Sequence, residues 1–261
     1  MTEPTKTEPR AMTEPTTTPG KAPHPVAGTP LQTPVGVPSF ETRDPGTAAF
    51  WNERFQKGFT PWDQAGVPNA FRAFVARNEP RPVLIPGCGS AYEALWLALA
   101  GWDVRAIDFS ADAVAAAREQ LGTFAPLVEQ ADFFSYRPPF APGWIYERAF
   151  FCALPLASRL DYAERMAALL APGALLAGFF FFGATPKGPP FGIEQSDLEA
   201  LFAPHFDLIE DEPVNNSLPV FAGRERWLTW RRRESASADG HAARGETASG
   251  ATSGATSGPR P

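Results

Sequence analysis

The sequence predicts an α/β protein with an open, mostly parallel β-sheet and helices on both faces. An apolar run from Val83 to Ile85 is followed by a turn with glycines at positions 87 and 89, and then by the Ala/Leu-rich segment 91–100. A second apolar run ends at Asp108, nineteen residues after Gly89. This order of strand, helix and strand is typical of sheets whose strands run parallel.

The glycine turn is suited to holding a ligand against the backbone. Glycine accepts positive φ and has no Cβ, and the N–H groups of the following helix point into the same space. An ordinary βα connection has a similar pattern, so the turn alone decides little. Asp108 favours the ligand interpretation, because nucleotide-binding sheets place an acid at the end of the second strand to bind a ribose diol. We therefore expect a nucleoside-containing cofactor.

The two ends of the chain differ in composition from its middle. Residues 1–45 contain ten Pro and ten Thr without an apolar period, and residues 234–261 are rich in Ser, Gly, Ala and Thr. Such segments have too few apolar side chains to offset the entropy cost of ordering. We predict disordered tails at 1–45 and 234–261 and a single domain at 46–233, a suitable size for one α/β domain.

Within the domain, aromatic residues at helical spacing from Phe50 to Phe55 predict either a docked amphipathic helix or a flap over a ligand. Ser110 predicts the N-cap of a helix that stops at Gly122. Strands and helices then alternate. The predicted strands are 126–131, 144–151, 174–182, 206–210 and 225–230, and the predicted helices are 159–170 and a segment that begins at Ser196. We expect the last two strands to be antiparallel.

Composition disfavours several classes of protein. Of 23 basic and 29 acidic residues, 17 and 21 lie in 46–233 without forming a basic stripe, so we do not expect a nucleic-acid partner. The chain has neither a secretory signal pattern nor an uninterrupted apolar stretch long enough for a membrane span. We therefore expect a cytoplasmic protein that does not bind membranes. Cys88 and Cys152 lack metal-ligand spacing, which predicts free thiols.

Hydrolytic chemistry also lacks the residues it needs. Only His205 among the three histidines lies within the domain, so histidine triads and His-rich metal sites have too few ligands. The glycine turn has neither the spacing of a hydrolase nucleophile elbow nor the ending of a P-loop. The remaining type of reaction is transfer of a group or a hydride from the cofactor. Because general bases are few, we expect a soft acceptor that needs mainly alignment and exclusion of water.

The motifs together resemble those of a bacterial member of the thiopurine S-methyltransferase family, similar also to the halide/thiol methyltransferases of plants. They are Trp51, residues 60–63, residues 86–90, Asp108, Asp132, residues 146–155 and residues 188–191. The resemblance implies a Rossmann-like class I fold with seven strands and a reversed last strand pair. It also implies S-adenosylmethionine as cofactor, no metal, and a small soft methyl acceptor: a thiol, a thiopurine, a halide, or a selenium or tellurium species.

Roles at the cofactor follow from this resemblance, position by position. Trp51 and Trp62 would cover the cofactor, and Gly87 and Gly89 would line its methionine portion. Asp108 would bind the ribose hydroxyls, in agreement with its place after the second strand.

The roles of Asp132 and Arg148 at the site each have an alternative structural explanation. Asp132 would lie beside the adenine, although a turn or cap aspartate explains it equally well. Arg148 would lie between cofactor and acceptor as the candidate catalytic positioning residue, and its alternative is a buried structural ion pair with Glu147. The roles of Asp63 and Glu147 stay open at this point. Phe55 stands where the family often has tryptophan, which leaves the shape of the lid open.

Two other functions share part of the pattern. A nicotinamide-dependent oxidoreductase also combines Gly-x-Gly with a distant acid, and a cofactor-binding module without catalysis has the same fold. The missing third glycine, Asp132 and the single domain favour the methyltransferase. We expect a monomer whose partner is a small-molecule methyl acceptor.

Overall fold

The protein is described by a computed structural model that covers residues 38–63, 65–185 and 187–234. One sheet contains seven strands in the order β3-β2-β1-β4-β5-β7-β6. They are β1 (Val83–Pro86), β2 (Val104–Asp108), β3 (Val128–Gln130), β4 (Trp144–Arg148), β5 (Leu175–Phe181), β6 (Phe206–Pro213) and β7 (Glu225–Arg232). β7 is antiparallel to β5 and β6, and the other neighbouring pairs are parallel. The predicted Rossmann-like class I fold, with its antiparallel last pair, is confirmed.

Helices pack on both faces of the sheet and enclose two apolar clusters. They are α1 (Ala48–Gln56), α2 (Asn69–Ala76), α3 (Tyr92–Leu99), α4 (Ala111–Leu121), α5 (Arg159–Leu169) and α6 (Gln195–Phe202). Side chains of α2, α3 and α4 share one cluster with Trp144 and Trp227. Side chains of α5 and α6 share the other with Trp230. All seven residues of β5 are buried, as expected for a strand covered on both sides.

Some elements differ from their predicted limits for local reasons. β4 ends at Arg148 instead of continuing to residue 151, because Ala149 has φ +57° and a short 3-10 turn begins at Phe151. β3 is limited to three residues, since 122–127 forms a 3-10 turn that contains Pro126. Helix α2 was not predicted, although its buried residues Phe71, Phe74 and Val75 follow helical spacing.

The strand order places a crevice between β1 and β4. From β1 the chain builds outward through β2 to β3, and then returns to the other side of β1 to form β4 and β5. Loops at the carboxyl ends of β1 and β4 therefore diverge, and this point is where open α/β sheets bind ligands. Across the described residues, no helix has both the length and the apolar character needed to cross a membrane.

Candidate active site

A cavity of about 610 Å³ lies at the carboxyl ends of β1, β2 and β4. Six of the seven residues predicted for the site lie in its wall: Trp51, Trp62, Gly87, Asp108, Asp132 and Arg148. The seventh, Gly89, lies behind the wall, where its N–H donates to Asp108 Oδ2 at 3.1 Å. Residues that are up to 97 positions apart in the sequence are therefore gathered in one cavity.

Gly87 is required by its backbone conformation and by the space around it. Its φ is +58°, and a Cβ at this position would come 2.4 Å from Cδ2 of Phe150. The Phe150 ring therefore packs directly on the glycine turn and extends the cavity wall towards β4. Ala91, which replaces the third glycine, keeps a left-handed conformation with φ +56° at the start of α3. The loop thus has its glycine-type shape without that glycine.

Asp108 ends β2 with its carboxylate in the cavity wall and only 8% of the residue exposed. Oδ2 accepts from the Gly89 N–H, and Oδ1 accepts from the Ser110 N–H at 2.9 Å. Burial raises the pKa of Asp108 to about 6, although backbone hydrogen bonds act in the opposite direction. A carboxylate has about four lone-pair positions, so two bonds leave room for a ligand diol. The geometry fits the predicted ribose contact.

Asp132 makes the turn contacts that one of its two interpretations predicted, and it also lies in the cavity wall. It is exposed in the cavity wall, and its Oδ1 accepts from the Phe134 N–H at 3.1 Å. Oδ2 accepts from Ser135 Oγ at 3.2 Å. Asp132 therefore caps the turn after β3 and faces the cavity at the same time. The rings of Phe133 and Phe134, 5.3 Å apart, continue the wall with apolar surface suited to a nucleobase.

Helix α1 is both a docked helix and a cover for the cavity. Asn52 Oδ1 accepts from Ser110 Oγ at 2.7 Å and so ties α1 to the N-cap of α4. On the side facing the cavity, the rings of Trp51 and Trp62 meet edge to face with centroids 5.3 Å apart. Phe55 lies next to Trp62 at 6.3 Å. One helix in this segment therefore docks on α4 and also contributes side chains to the cavity wall.

The loop that carries Trp62 is fixed to the glycine turn. Ser90 Oγ donates to Asp63 Oδ2 at 2.5 Å, and both residues lie in the cavity wall. Asp63, whose role the sequence left open, thus holds the covering loop over the site.

Arg148 pairs with Glu93 and not with Glu147, which corrects the alternative expected from the sequence. Its Nη1 donates to Glu93 Oε1 at 2.5 Å, and Tyr146 Oη donates to the same oxygen at 3.2 Å. Glu93 is 8% exposed, and all three side chains line the cavity. The pair crosses the crevice from α3 to β4, where sheet topology predicts a ligand.

Glu147 has a structural role in the turn after β4. Its Oε1 accepts from the N–H groups of Phe150 and Phe151, each at 2.9 Å, and its Oε2 accepts from Tyr162 Oη at 2.6 Å. Burial raises the pKa of Glu147 to about 7. These bonds position Phe150 against Gly87, so Glu147 shapes the site from outside the cavity.

Comparison with known proteins identifies the family of the chain. The family model described as thiopurine S-methyltransferase matches residues 46–233, which is most of the chain. The chain belongs to the thiopurine S-methyltransferase family. Probable thiol methyltransferase 2 of Arabidopsis thaliana is 31% identical over 195 residues, covering 70% of this chain and 84% of the relative. Thiopurine S-methyltransferase of Vibrio vulnificus is 30% identical over 176 residues, covering 60% and 81%.

Solved structures agree with this fold. A 1,6-didemethyltoxoflavin-N1-methyltransferase from Burkholderia thailandensis, with bound S-adenosylhomocysteine, matches with a TM-score of 0.57 at 18% identity, over 72% of this chain and 87% of its own. Magnesium protoporphyrin IX methyltransferase from Synechocystis matches with a TM-score of 0.56 at 14% identity, over 72% and 99%. The protein is therefore an S-adenosylmethionine-dependent methyltransferase for small nucleophiles, and the nicotinamide and non-catalytic alternatives are set aside.

Phe191 and Cys88 show two further features of the cavity. Phe191, the last residue of the motif 188–191, lies outside the wall, and Lys187 to Pro190 form that part of it. A Cβ on Gly188 would meet the Phe191 ring at 2.4 Å, so the ring packs against its own loop. Cys88 lines the cavity, but burial and the nearby Asp108 raise its pKa well above its usual range. It remains a protonated thiol at neutral pH.

The segment 38–45 joins the site although the predicted domain starts at 46. Glu53 on α1 accepts from the Glu41 N–H at 2.8 Å and from the Thr42 N–H at 2.9 Å. The segment thereby places Phe40, Arg43 and Pro45 in the cavity wall.

The sequence predicted no role for Glu93, Tyr146 or Phe150, and it placed the segment 38–45 in a tail. Glu93 had one available signal, which is an acid in the first turn of the helix that follows the glycine turn. The Pro/Thr-rich composition of 1–45 concealed the segment.

Proposed function

We propose that this methyltransferase transfers the methyl group of S-adenosylmethionine to the sulfur of a small acceptor, as a cytoplasmic monomer that acts without nucleic acid. The observation that carries the proposal is the single cavity in which the glycine turn, Asp108 and the aromatic cover meet the Glu93–Arg148 pair. The names of its relatives add a second argument, since thiol, thiocyanate and thiopurine are all sulfur acceptors.

We assign the cofactor contacts as follows. Asp108 accepts hydrogen bonds from the ribose diol, and Asp132 lies beside the adenine amino group. Gly87 lets the loop backbone approach the methionine portion. Gly89 maintains the conformation of the turn, and its N–H holds the Asp108 carboxylate. Trp51 and Trp62 cover the cofactor and exclude water.

Placement of the reactants is the main contribution of the protein to this chemistry. Bound S-adenosylmethionine supplies a methyl group on a sulfonium, which is already electrophilic. The residues of the chain align the acceptor and keep water out, and effective alignment accounts for a large share of such rate increases. Arg148 and Tyr146 position the acceptor at the end of β4, opposite the glycine turn.

The test is an acceptor panel with the full-length protein and methyl-labelled S-adenosylmethionine. The panel contains an alkyl thiol, a thiopurine, thiocyanate, iodide and, as non-sulfur controls, an alcohol and an amine. We expect a labelled product from at least one sulfur acceptor, with equimolar S-adenosylhomocysteine. Transfer to the alcohol or amine alone would refute a sulfur acceptor.

A further inference from the structure

The acceptor end of the cavity holds an arginine whose charge is already compensated. Glu93 contacts Arg148 directly, with 10% and 20% of the two side chains exposed. The charge of Glu225, at the start of β7, also acts on the same guanidinium. The negative charges of two carboxylates, Glu93 and Glu225, therefore compensate the positive charge of Arg148. An anionic acceptor that enters the cavity meets no net positive charge from this group.

Glu93 also presents an oxygen that the fold does not use. Both hydrogen bonds, from Tyr146 and Arg148, go to Oε1, and no residue in the described chain donates to Oε2. The residue lines the cavity, and its Oε2, which has no partner among the described residues, is not a buried atom. After burial, the negative charge of Glu93 is among the causes that raise the pKa of the Cys88 thiol and of the Tyr92 hydroxyl. A carboxylate oxygen with free lone pairs is thus open to the cavity.

We propose that Glu93 makes this enzyme select neutral sulfur acceptors that carry a proton over preformed anions such as thiocyanate or halides. Oε1 neutralises Arg148, and Oε2 receives the acceptor proton. The inference rests on the proposed sulfur methyltransferase function and narrows its substrate class.

The proposed step balances without a further reactant. A lone pair on the acceptor sulfur forms the new bond to the methyl carbon. The bond between that carbon and the sulfonium sulfur breaks, and its electron pair stays on the sulfur of S-adenosylhomocysteine. The proton on the acceptor, an S–H or the N–H of a thione, passes to Glu93 Oε2 and then to solvent. Carboxylates are established general bases when they lie within hydrogen-bond reach of the proton.

The main experiment compares Glu93→Gln with Glu225→Gln, using an alkyl thiol and thiocyanate at pH 7. Glutamine at 93 can still accept from Tyr146 and Arg148, but it has neither the charge nor the base. We expect kcat/KM for the thiol to fall by about a hundredfold, within the usual range for a general base. We expect kcat/KM for thiocyanate to rise by about tenfold, because one unit of negative charge is removed.

Glu225→Gln is the matched control, because Glu225 acts on Arg148 but lies outside the cavity wall. It should raise thiocyanate use without the loss of thiol methylation. Calorimetry adds a readout independent of turnover: thiocyanate should bind the S-adenosylhomocysteine complex more tightly in both variants than in the unmodified protein. A parallel fall for both acceptors in Glu93→Gln would overturn the inference, as would unchanged thiocyanate binding.

A measurement on the unmodified protein keeps the inference testable if Glu93→Gln does not fold. At saturating S-adenosylmethionine, kcat/KM for an alkyl thiol should stay nearly constant from pH 6.5 to 8, although the thiolate fraction rises by more than about twentyfold. A rate that follows the thiolate fraction would overturn the inference. The sulfur methyltransferase function fails separately, if no sulfur acceptor on the panel is methylated by the unmodified enzyme.

Discussion

Replacing Asp108 by asparagine tests the cofactor site at a buried charge. The substitution keeps the shape of the side chain but removes the charge that would accept from the ribose hydroxyls. Hydrogen bonds to charged groups contribute about 1.5–3 kcal/mol each. We therefore expect Asp108→Asn to weaken S-adenosylhomocysteine binding by about tenfold to 150-fold. The amide NH2 must also face one of two backbone donors, Gly89 or Ser110, so some loss of stability accompanies the change.

The same carboxylate makes cofactor affinity depend on pH. Burial raises the pKa of Asp108 to about 6 in the free protein. Diol hydroxyls donate to the charged form, so binding favours the carboxylate and lowers its pKa. Affinity is therefore complete well above pH 6 and is lost as the pH falls through about 6, by up to about tenfold for each further pH unit. Protons should be released on binding near pH 6.

Calorimetry between pH 5 and pH 8, in buffers of different ionisation enthalpy, measures both effects. Asp112→Asn is the matched control, since Asp112 lies on α4 near Asp108 and bonds to Gln56 instead of lining the cavity. It should leave affinity and its pH dependence unchanged. If a folded Asp108→Asn protein binds as tightly as the unmodified one, or if unmodified affinity is constant from pH 5 to 7, Asp108 does not hold the diol.

Three further predictions concern the frame around the site. Gly87→Ala should unfold at a lower temperature than Gly101→Ala and lose cofactor binding, because both positions have positive φ but only a Cβ at 87 would meet Phe150; equal melting temperatures would contradict this. The folded protein keeps the Glu147 proton up to about pH 7, against an ordinary value of 4.5, so its free energy of unfolding should fall as the pH rises between these values. Glu147→Gln should lack that slope in denaturant titrations at pH 5 and 8. A chain of residues 38–234 should match the full-length kcat/KM, whereas 46–234 should fold but lose acceptor turnover; equal activity would mean that the segment 38–45 is dispensable.

Local patterns explain why much of the site was readable from the sequence. The glycine turn and Asp108 lie within one strand-helix-strand unit, and their spacing follows from the length of α3. Alternating apolar runs likewise predicted all seven strands, although β3 and β4 were predicted too long. β3 is shorter because Pro126 and the 3-10 turn before it take up residues that fit a strand pattern. β4 is shorter because Ala149 has positive φ.

Contacts between distant residues explain what the sequence could not show. Glu93 and Arg148 are 55 positions apart and meet only because β4 returns beside β1. Glu147, the nearer acid, has its side chain on the opposite side of the strand, where Tyr162 and two backbone N–H groups use both of its oxygens. Sequence neighbours along a strand point to opposite faces, so proximity in the sequence favoured the wrong partner.

Internal contacts hold the side chains proposed for the cofactor site in place. Asp108 is held by Gly89 and Ser110, and Ser110 is joined through Asn52 to the covering helix α1. Holding a carboxylate in this buried position disfavours its charged form, as its raised pKa shows. Hydroxyl donors on a ligand would stabilise the charged form of Asp108, so part of the binding free energy comes from stabilising this buried carboxylate. A ligand without the diol would bring no such gain, which makes Asp108 a source of selectivity as well as affinity.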